Sequence, residues 1–171
     1  MSWKADYSHS HVQFTTRHMM VANVRGHFDK YTVNADINEN DPTQSKLEVE
    51  IDVASLSTRD EKRDAHLKGA DFFDVAKFPT LTFKSTKVEA AGEGKLKVTG
   101  DLTMHGVTKE VVLDVEGPGA PIKDPWGNNR IGVSASTKLN RQDFGVSGGS
   151  PMVGDDIPIT IDMELTQAKA K

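Results

Sequence analysis

One serine in this chain stands in a setting that resembles a hydrolase nucleophile. The run Gly145-Val146-Ser147-Gly148-Gly149 matches the pattern G-x-S-x-G, which exposes a serine where a strand turns sharply into a helix. The residues after it, 150–155, are turn formers without helical spacing, and no base or oxyanion donor stands at a recognised separation. We therefore interpret the run as a loop and predict a protein that is not an enzyme.

The histidines raise the question of a metal site. His9 and His11 are two residues apart on one predicted strand face, and His18 and His27 lie nearby in sequence. Zinc needs at least a third ligand in a converging arrangement. Neither a cysteine nor a carboxylate at a recognised spacing supplies one. We predict that the chain has no metal site.

Positive charge is concentrated in one short segment. Arg59, Arg63 and His66 are spaced by four and by three residues, so in a helix they fall near one face. Such a face could bind an anionic head group. The alternative is a solvated helix face on which these cations pair with Asp60 and Asp64.

A second charged pair is expected near the end of a strand. Arg141 and Asp143 are two residues apart and would share one strand face. This spacing predicts a fixed ion pair, with Phe144 and Gly145 forming the bend that follows.

The elements that must position these residues are mainly strands. Apolar side chains recur at every second residue, as in the run Val12, Phe14, Thr16, His18, and Gly, Pro, Asn and Asp interrupt the pattern. Because successive side chains of a strand point to opposite faces, the alternation predicts sheets with one buried side. The short spacing favours an all-β protein, an elongated antiparallel barrel of about eight strands.

One segment, 58–68, breaks the alternation. Its start, Thr58-Arg59-Asp60-Glu61, has the form of a capping box, in which Thr58 caps the first turn and Glu61 reaches back. We predict one short helix here, ending at Gly69. An apolar cluster follows directly, at Phe72, Phe73 and Phe78. Such a segment is well suited to covering one open end of a barrel.

Length and composition exclude several classes. The chain has 171 residues, a formal net charge of −4 and no cysteine. It fits a single domain, residues 1–171, which is large enough to build a hydrophobic core without disulfides or structural metal ions. The lack of cysteine excludes disulfides and thiolate sites. The mild acidity, without Lys and Arg clustered among aromatic residues, makes nucleic acid a poor partner.

No apolar run of the length of a signal peptide or of a membrane span is present. We expect a protein that does not span a membrane and that is cytoplasmic as written. A processed or truncated sequence would instead be compatible with the periplasm.

The order of several short motifs resembles the YceI-like family across nearly the whole chain. The motifs are Asp6-x-x-His9-Ser10-x-Val12-x-Phe14, Arg17-His18-Met19, Gly26-x-Phe28, Thr58-Arg59-Asp60, Asp64-x-His66-Leu67, Asp71-Phe72-Phe73-Asp74, Phe78-Pro79-Thr80, Thr82-Phe83-Lys84-Ser85, the run 100–109, Arg141-x-Asp143-Phe144-Gly145 and Val153-Gly154-Asp155. Each motif is weak by itself, but their order and spacing together are specific.

The resemblance implies a lipocalin-like barrel from a bacterial family that holds an apolar chain. The expected ligand is a long isoprenoid lipid, such as a polyprenyl diphosphate or an isoprenoid quinone, carried without catalysis and without a required cofactor. Other amphiphiles are accepted within the family, many relatives are periplasmic, and members often form homodimers. The alternative is a packed barrel that acts through its outer surface, as a partner-binding or stress-associated module.

A tunnel of this kind would be lined by inward-facing side chains. His18 shares parity with Val12 and Phe14, so it is either a hydrogen-bonded interior group or a contact to a ligand head. Met19 and Met20 suit either a core gap or the lip of a tunnel. The predicted ligand-lining residues are Phe14, His18, Met19, Met20, Val24, Phe28, Val33, Ile51, Phe72, Phe83, Leu102, Val133 and Ile161. The hydrophobic ones could equally form a packed core.

Overall fold

The structure, a computed structural model, describes residues 2–168. It contains twelve strands, one α-helix and four short 3₁₀ helices. The strands are β1 (Ser2–Ala5), β2 (His11–His18), β3 (Ala22–Phe28), β4 (Tyr31–Asp36), β5 (Lys46–Asp52), β6 (Leu56–Ser57), β7 (Thr80–Ala90), β8 (Lys95–Met104), β9 (Val107–Glu116), β10 (Ile122–Lys123), β11 (Asn129–Asn140) and β12 (Asp156–Gln167). Helix α1 is Glu61–Leu67, and the 3₁₀ helices are Tyr7–His9, Pro42–Gln44, Val53–Ser55 and Arg141–Phe144.

The sheet closes on itself as a barrel. Its strands follow the order β11, β9, β8, β7, β5, β4, β1, β12 and return to β11, and all of these pairings are antiparallel. Strands β2, β3 and β6 extend the sheet from the edge of β12 that β1 also uses, and β10 pairs with the start of β11. The prediction of an antiparallel barrel of about eight strands with one short helix is confirmed.

Alternation along the strands separates the inner face from the outer face. On β4, Tyr31, Val33 and Ala35 are buried and the residues between them are exposed. On β12 the inward residues are Ile157, Ile159, Ile161 and Met163, and each is only partly buried. A packed interior would bury apolar side chains in the middle of a strand, so the barrel is not filled along β12.

Helix α1 has a different cap from the one predicted. Asp60 is the N-cap, and its carboxylate accepts a hydrogen bond from the backbone N–H of Arg63 at 3.0 Å. The hydroxyl of Thr58 donates instead to Asp64, at 2.6 Å. The prediction of Thr58 as the cap is therefore wrong, because Asp60 is an equally good capping residue and lies closer to the helix.

The predicted ion pair between Arg141 and Asp143 is wrong as well. The chain leaves the sheet at Asn140 and enters a 3₁₀ helix, so the period of two that placed both residues on one face no longer applies. Arg141 turns inward and is only 4% exposed. Its nearest carboxylate among the described ion pairs is that of Asp155, at 3.5 Å.

Candidate binding cavity

A cavity of about 330 Å³ lies at the end of the barrel that α1 covers. Phe14, Val24 and Phe28 form its wall on the side of β2 and β3. Phe72 and Phe73, from the segment after α1, form another part of its wall. Two members of the phenylalanine cluster identified in the sequence thus lie over the barrel end, since Phe73 meets Phe28 edge to face at 6.3 Å between ring centres and Phe72 lines the same cavity. The third, Phe78, lies outside this wall and packs against His105.

A second cavity, of about 190 Å³, lies deeper in the barrel. Every strand of the closed barrel except β1 contributes to its wall, and almost all of the wall atoms are apolar. The two cavities share four wall residues, Phe28, Leu81, Leu139 and Ile159. They are therefore neighbours along the barrel, and together they form an elongated apolar interior.

Polar side chains collect at one end of this interior. Thr58, Arg63 and His66 line the first cavity on the helical side, and Arg17 and His18 line it on the β2 side. All except Thr58 are exposed, so the first cavity reaches solvent here. The geometry suits an amphiphile with its tail inside the barrel and its polar head at this mouth.

Two arginines bring positive charge to the mouth. Arg63 donates to the hydroxyl and the carbonyl oxygen of Thr58, each at 2.8 Å. Arg17 donates to the side-chain oxygen of Asn23 at 3.2 Å and to the carbonyl of Met20 at 2.7 Å. These hydrogen bonds hold both guanidinium groups in place. Because all four acceptors are neutral, the positive charge stays available to an anion.

A third arginine, Arg141, holds the loop on the other side of the mouth. Its guanidinium donates to the carbonyl oxygens of Val146, Gly148, Val153 and Gly154 at 2.7–3.1 Å. Burial lowers the pKa of this arginine, and the carboxylate of Asp155 opposes that effect. Arg141 therefore organises loop 145–155, whose Val146, Gly149 and Val153 line the first cavity.

Most of the predicted ligand-lining residues lie on these walls. The first cavity contains Phe14, His18, Val24, Phe28 and Phe72, and the second contains Phe28, Val33, Ile51, Phe83, Leu102, Val133 and Ile161. Contact of these side chains with a ligand stays a prediction.

Two predicted lining residues, Met19 and Met20, are absent from both walls. They form the turn between β2 and β3 and are 52% and 68% exposed. Among the predicted head-group residues, Arg63 and His66 line the mouth but Arg59 does not. The helical spacing used for Arg59 fails because α1 begins only at Glu61.

Several wall residues were not foreseen from sequence. Ile159 and Leu139, shared by both cavities, follow the same alternation as their neighbours, so parity could have identified them. The alternation along β2 assigns Arg17 to the outer face, opposite to its neighbour His18, whereas the structure places both residues at the first cavity. Nothing in the sequence pattern indicates that Arg141 turns inward.

The serine pattern lacks the geometry of a nucleophile elbow. Ser147 is exposed in a loop, and in the part of the chain that the structure describes no helix follows it before β12. The interpretation of this run as a loop is confirmed.

Asp6, His9 and Glu164 bring their ligand atoms within 4.8 Å of one another. The cation among them is a guanidinium, because Arg130 Nη1 lies 2.7 Å from Asp6 and 2.8 Å from Glu164. Hydrogen bonds from Ser8 and then from Arg130 hold the pKa of the Asp6 carboxyl well below its usual range. This cluster therefore joins β12 to the segment after β1 as an ion-pair network.

The closed antiparallel barrel and its apolar interior define a lipocalin-like fold. A profile of the YceI-like domain matches residues 3–165. The chain belongs to the YceI-like family.

Relatives and solved structures agree with this assignment. A UPF0312 protein of Vibrio parahaemolyticus is 38% identical over 158 residues, which cover 92% of this chain and 80% of that protein. The crystal structure of a Campylobacter jejuni YceI protein superposes with a TM-score of 0.79 at 35% identity, covering 90% of each chain. A polyisoprenoid-binding domain from Saccharophagus degradans shares the fold, with a TM-score of 0.72 at 16% identity over 97% of this chain and 98% of that one.

Within residues 2–168, none of the helices has both the length and the apolar character needed to cross a bilayer.

Proposed function

We propose that this protein binds a long isoprenoid lipid and carries it without chemical change. The tail would occupy the two adjoining cavities, and a diphosphate or quinone head would remain at the mouth. The observation that carries the proposal is the pair of adjoining apolar cavities, whose linings have Phe28, Leu81, Leu139 and Ile159 in common. The polyisoprenoid-binding domain that shares the fold supports the same ligand class.

The length of the interior is consistent with a chain of several isoprene units. The inward residues from Ile157 to Met163 on β12 all line a cavity, and they extend about 20 Å along the strand. Burying one unit of five carbons gains about 4 kcal/mol, whereas association costs about 4–15 kcal/mol. One unit alone would not be retained, so a useful ligand must fill much of the interior.

The polar residues at the mouth set the orientation of the lipid in the barrel. A diphosphate at the mouth would meet Arg17 and Arg63, whose N–H groups are already fixed by neutral acceptors. Arginine binds phosphate oxygens in a bidentate manner, which suits this role better than a single ammonium would. His18 and His66, exposed at the same mouth, supply further hydrogen-bonding groups.

Native mass spectrometry of the gently purified protein tests the proposal. The expected spectrum contains a protein–lipid complex whose extra mass disappears after organic extraction and returns when a prenyl lipid is added. A spectrum of the bare chain that does not change on addition of prenyl lipids would contradict the proposal. It would favour a barrel that acts through its outer surface.

A further inference from the structure

Four large apolar side chains lie exposed beside the mouth of the first cavity. Met19, Met20 and Val21 are 52%, 68% and 79% exposed, and Met152 is 48% exposed. They belong to one surface, because the backbone N–H of Met19 donates to the carbonyl oxygen of Met152 at 2.6 Å. We refer to these four residues as the apolar tip.

The turn that presents the apolar tip has an unusual composition. Met19 and Met20 both have positive φ, 50° and 59°, the conformation of the two central residues of a type I′ turn, where Asn and Gly are preferred. A side chain with a Cβ is disfavoured there. Methionine therefore occupies a site for which the backbone alone would select other residues.

The apolar tip adjoins the opening of the cavity. His18 precedes Met19 and Val153 follows Met152, and these two neighbours form an isolated bridge with each other. Both also line the first cavity. A lipid that leaves or enters through this mouth would pass directly beside the tip.

The hairpin beneath the apolar tip is cationic. Residues 11–28 contain Arg17 and Arg25 and no Asp or Glu, although the whole chain has a net charge of −4. On the neighbouring segments, Asp155 is bound by Gln142 and Arg141, and Asp71 faces His66, while Asp156 at the start of β12 is exposed. The charge of the hairpin itself is thus complementary to an anionic surface.

We propose that the apolar tip inserts into an anionic lipid bilayer and holds the cavity mouth against the membrane. This inference rests on the proposed function, for which it supplies the surface that donates or accepts the lipid. Apolar side chains flanked by cationic groups are the combination that binds interfacial lipid. A second copy of this chain fits less well, because a two-fold contact would bring the cationic hairpins of both copies together.

The test measures co-sedimentation with vesicles of phosphatidylcholine mixed with phosphatidylglycerol, and with vesicles of phosphatidylcholine alone. The tip variant is Met19→Asn with Met20→Gly, because these residues suit the turn backbone and keep it folded while removing both thioethers. The matched control is Ile122→Ser with Trp126→Ser. These side chains are 65% and 76% exposed and belong to the β10–β11 hairpin, at the opposite end of the barrel.

We expect the wild-type chain and the control to sediment with the anionic vesicles and the tip variant to bind about tenfold more weakly. Equal vesicle binding by the tip variant and the wild type, or no binding by the wild type, would overturn the inference. Uptake of geranylgeraniol in detergent-free solution is measured in parallel. If the tip variant takes up the lipid as well as the wild type does, its weaker vesicle binding reflects docking and not ligand binding. If the wild type takes up no geranylgeraniol, that result counts against the proposed function alone.

Discussion

Phe14 and Gly26 lie directly opposite each other on β2 and β3, and the phenylalanine ring covers the glycine. A Cβ added to Gly26 would collide with the Cζ atom of that ring. The ring also packs against Phe28 at 5.6 Å between centres and forms part of the first cavity's wall. The missing side chain at residue 26 therefore fixes the position of a wall residue at residue 14.

Replacing this glycine should move the wall. Gly26→Val would force Phe14 towards the cavity, so we expect a loss of about 1–3 kcal/mol in the free energy of unfolding and weaker uptake of prenyl alcohols. Gly132→Val is the control, because a Cβ at residue 132 on β11 meets no atom within 4 Å. Urea unfolding and ligand titration measure both effects. Equal stability and uptake of the two variants would contradict this role of Gly26.

Arg141 should be essential for the loop beside the mouth. Arg141→Met keeps the buried stem but removes the guanidinium that donates to four carbonyl oxygens, and a buried group left unsatisfied costs about 1–3 kcal/mol. We expect a clearly lower Tm and faster proteolytic cleavage within loop 145–155. The exposed Arg25→Met on β3 serves as the control. Cleavage of this loop at the wild-type rate would show that Arg141 does not hold it.

The network around Asp6 should make stability depend on pH. Hydrogen bonds from Ser8 and then Arg130 lower the pKa of Asp6, so the unfolded chain takes up the proton first on acidification. The stabilising contribution of this carboxylate is complete above about pH 4 and decreases as the pH falls further. Urea unfolding between about pH 6 and pH 3 should show a shallower loss of stability for Asp6→Asn than for the wild type. Parallel curves of stability against pH for the wild type and Asp6→Asn would contradict the prediction. Asp143→Asn, which changes an exposed residue, is the control.

Filling the junction of the two cavities should block long ligands. Ile159→Trp places a large ring where both cavities share a wall, at a stability cost of about 1–3 kcal/mol. Thr160→Trp is the matched control, since the next residue of β12 points to the exposed outer face. We expect the inner variant to lose affinity for long prenyl alcohols but to keep short ones, as measured by native mass spectrometry. Unchanged binding of long chains by Ile159→Trp would show that the tail does not pass this point.

The sequence predicted those features that depend on local periodicity. Val33, Ile51 and Phe83 could be placed on the inner face because each follows the period of two within its own strand. The interior volume could not be predicted in this way, because it depends on the register between strands far apart in sequence. Ile159, for example, is set against Phe14 on one side and Thr137 on the other.

The structure departs from the sequence pattern where strands and helices end. Arg59 and Arg141 were assigned from helical and strand spacing that stops one or two residues away from them. The thioethers of Met19 and Met20 suit a tunnel lip, and the left-handed turn places them beside the mouth, exposed to solvent, rather than on a cavity wall. At such boundaries the capping residue and the turn type decide the direction of a side chain, and several choices fit the same sequence.

The central claim is that the barrel encloses one apolar chain, and the dependence of affinity on ligand length tests it most directly. The measurement titrates the wild-type protein with prenyl alcohols that increase by one isoprene unit at a time. Each added unit buries more apolar surface, worth up to about 4 kcal/mol, so the account predicts affinity that tightens stepwise until the interior is full and then becomes constant. Affinity that does not change with chain length would contradict it.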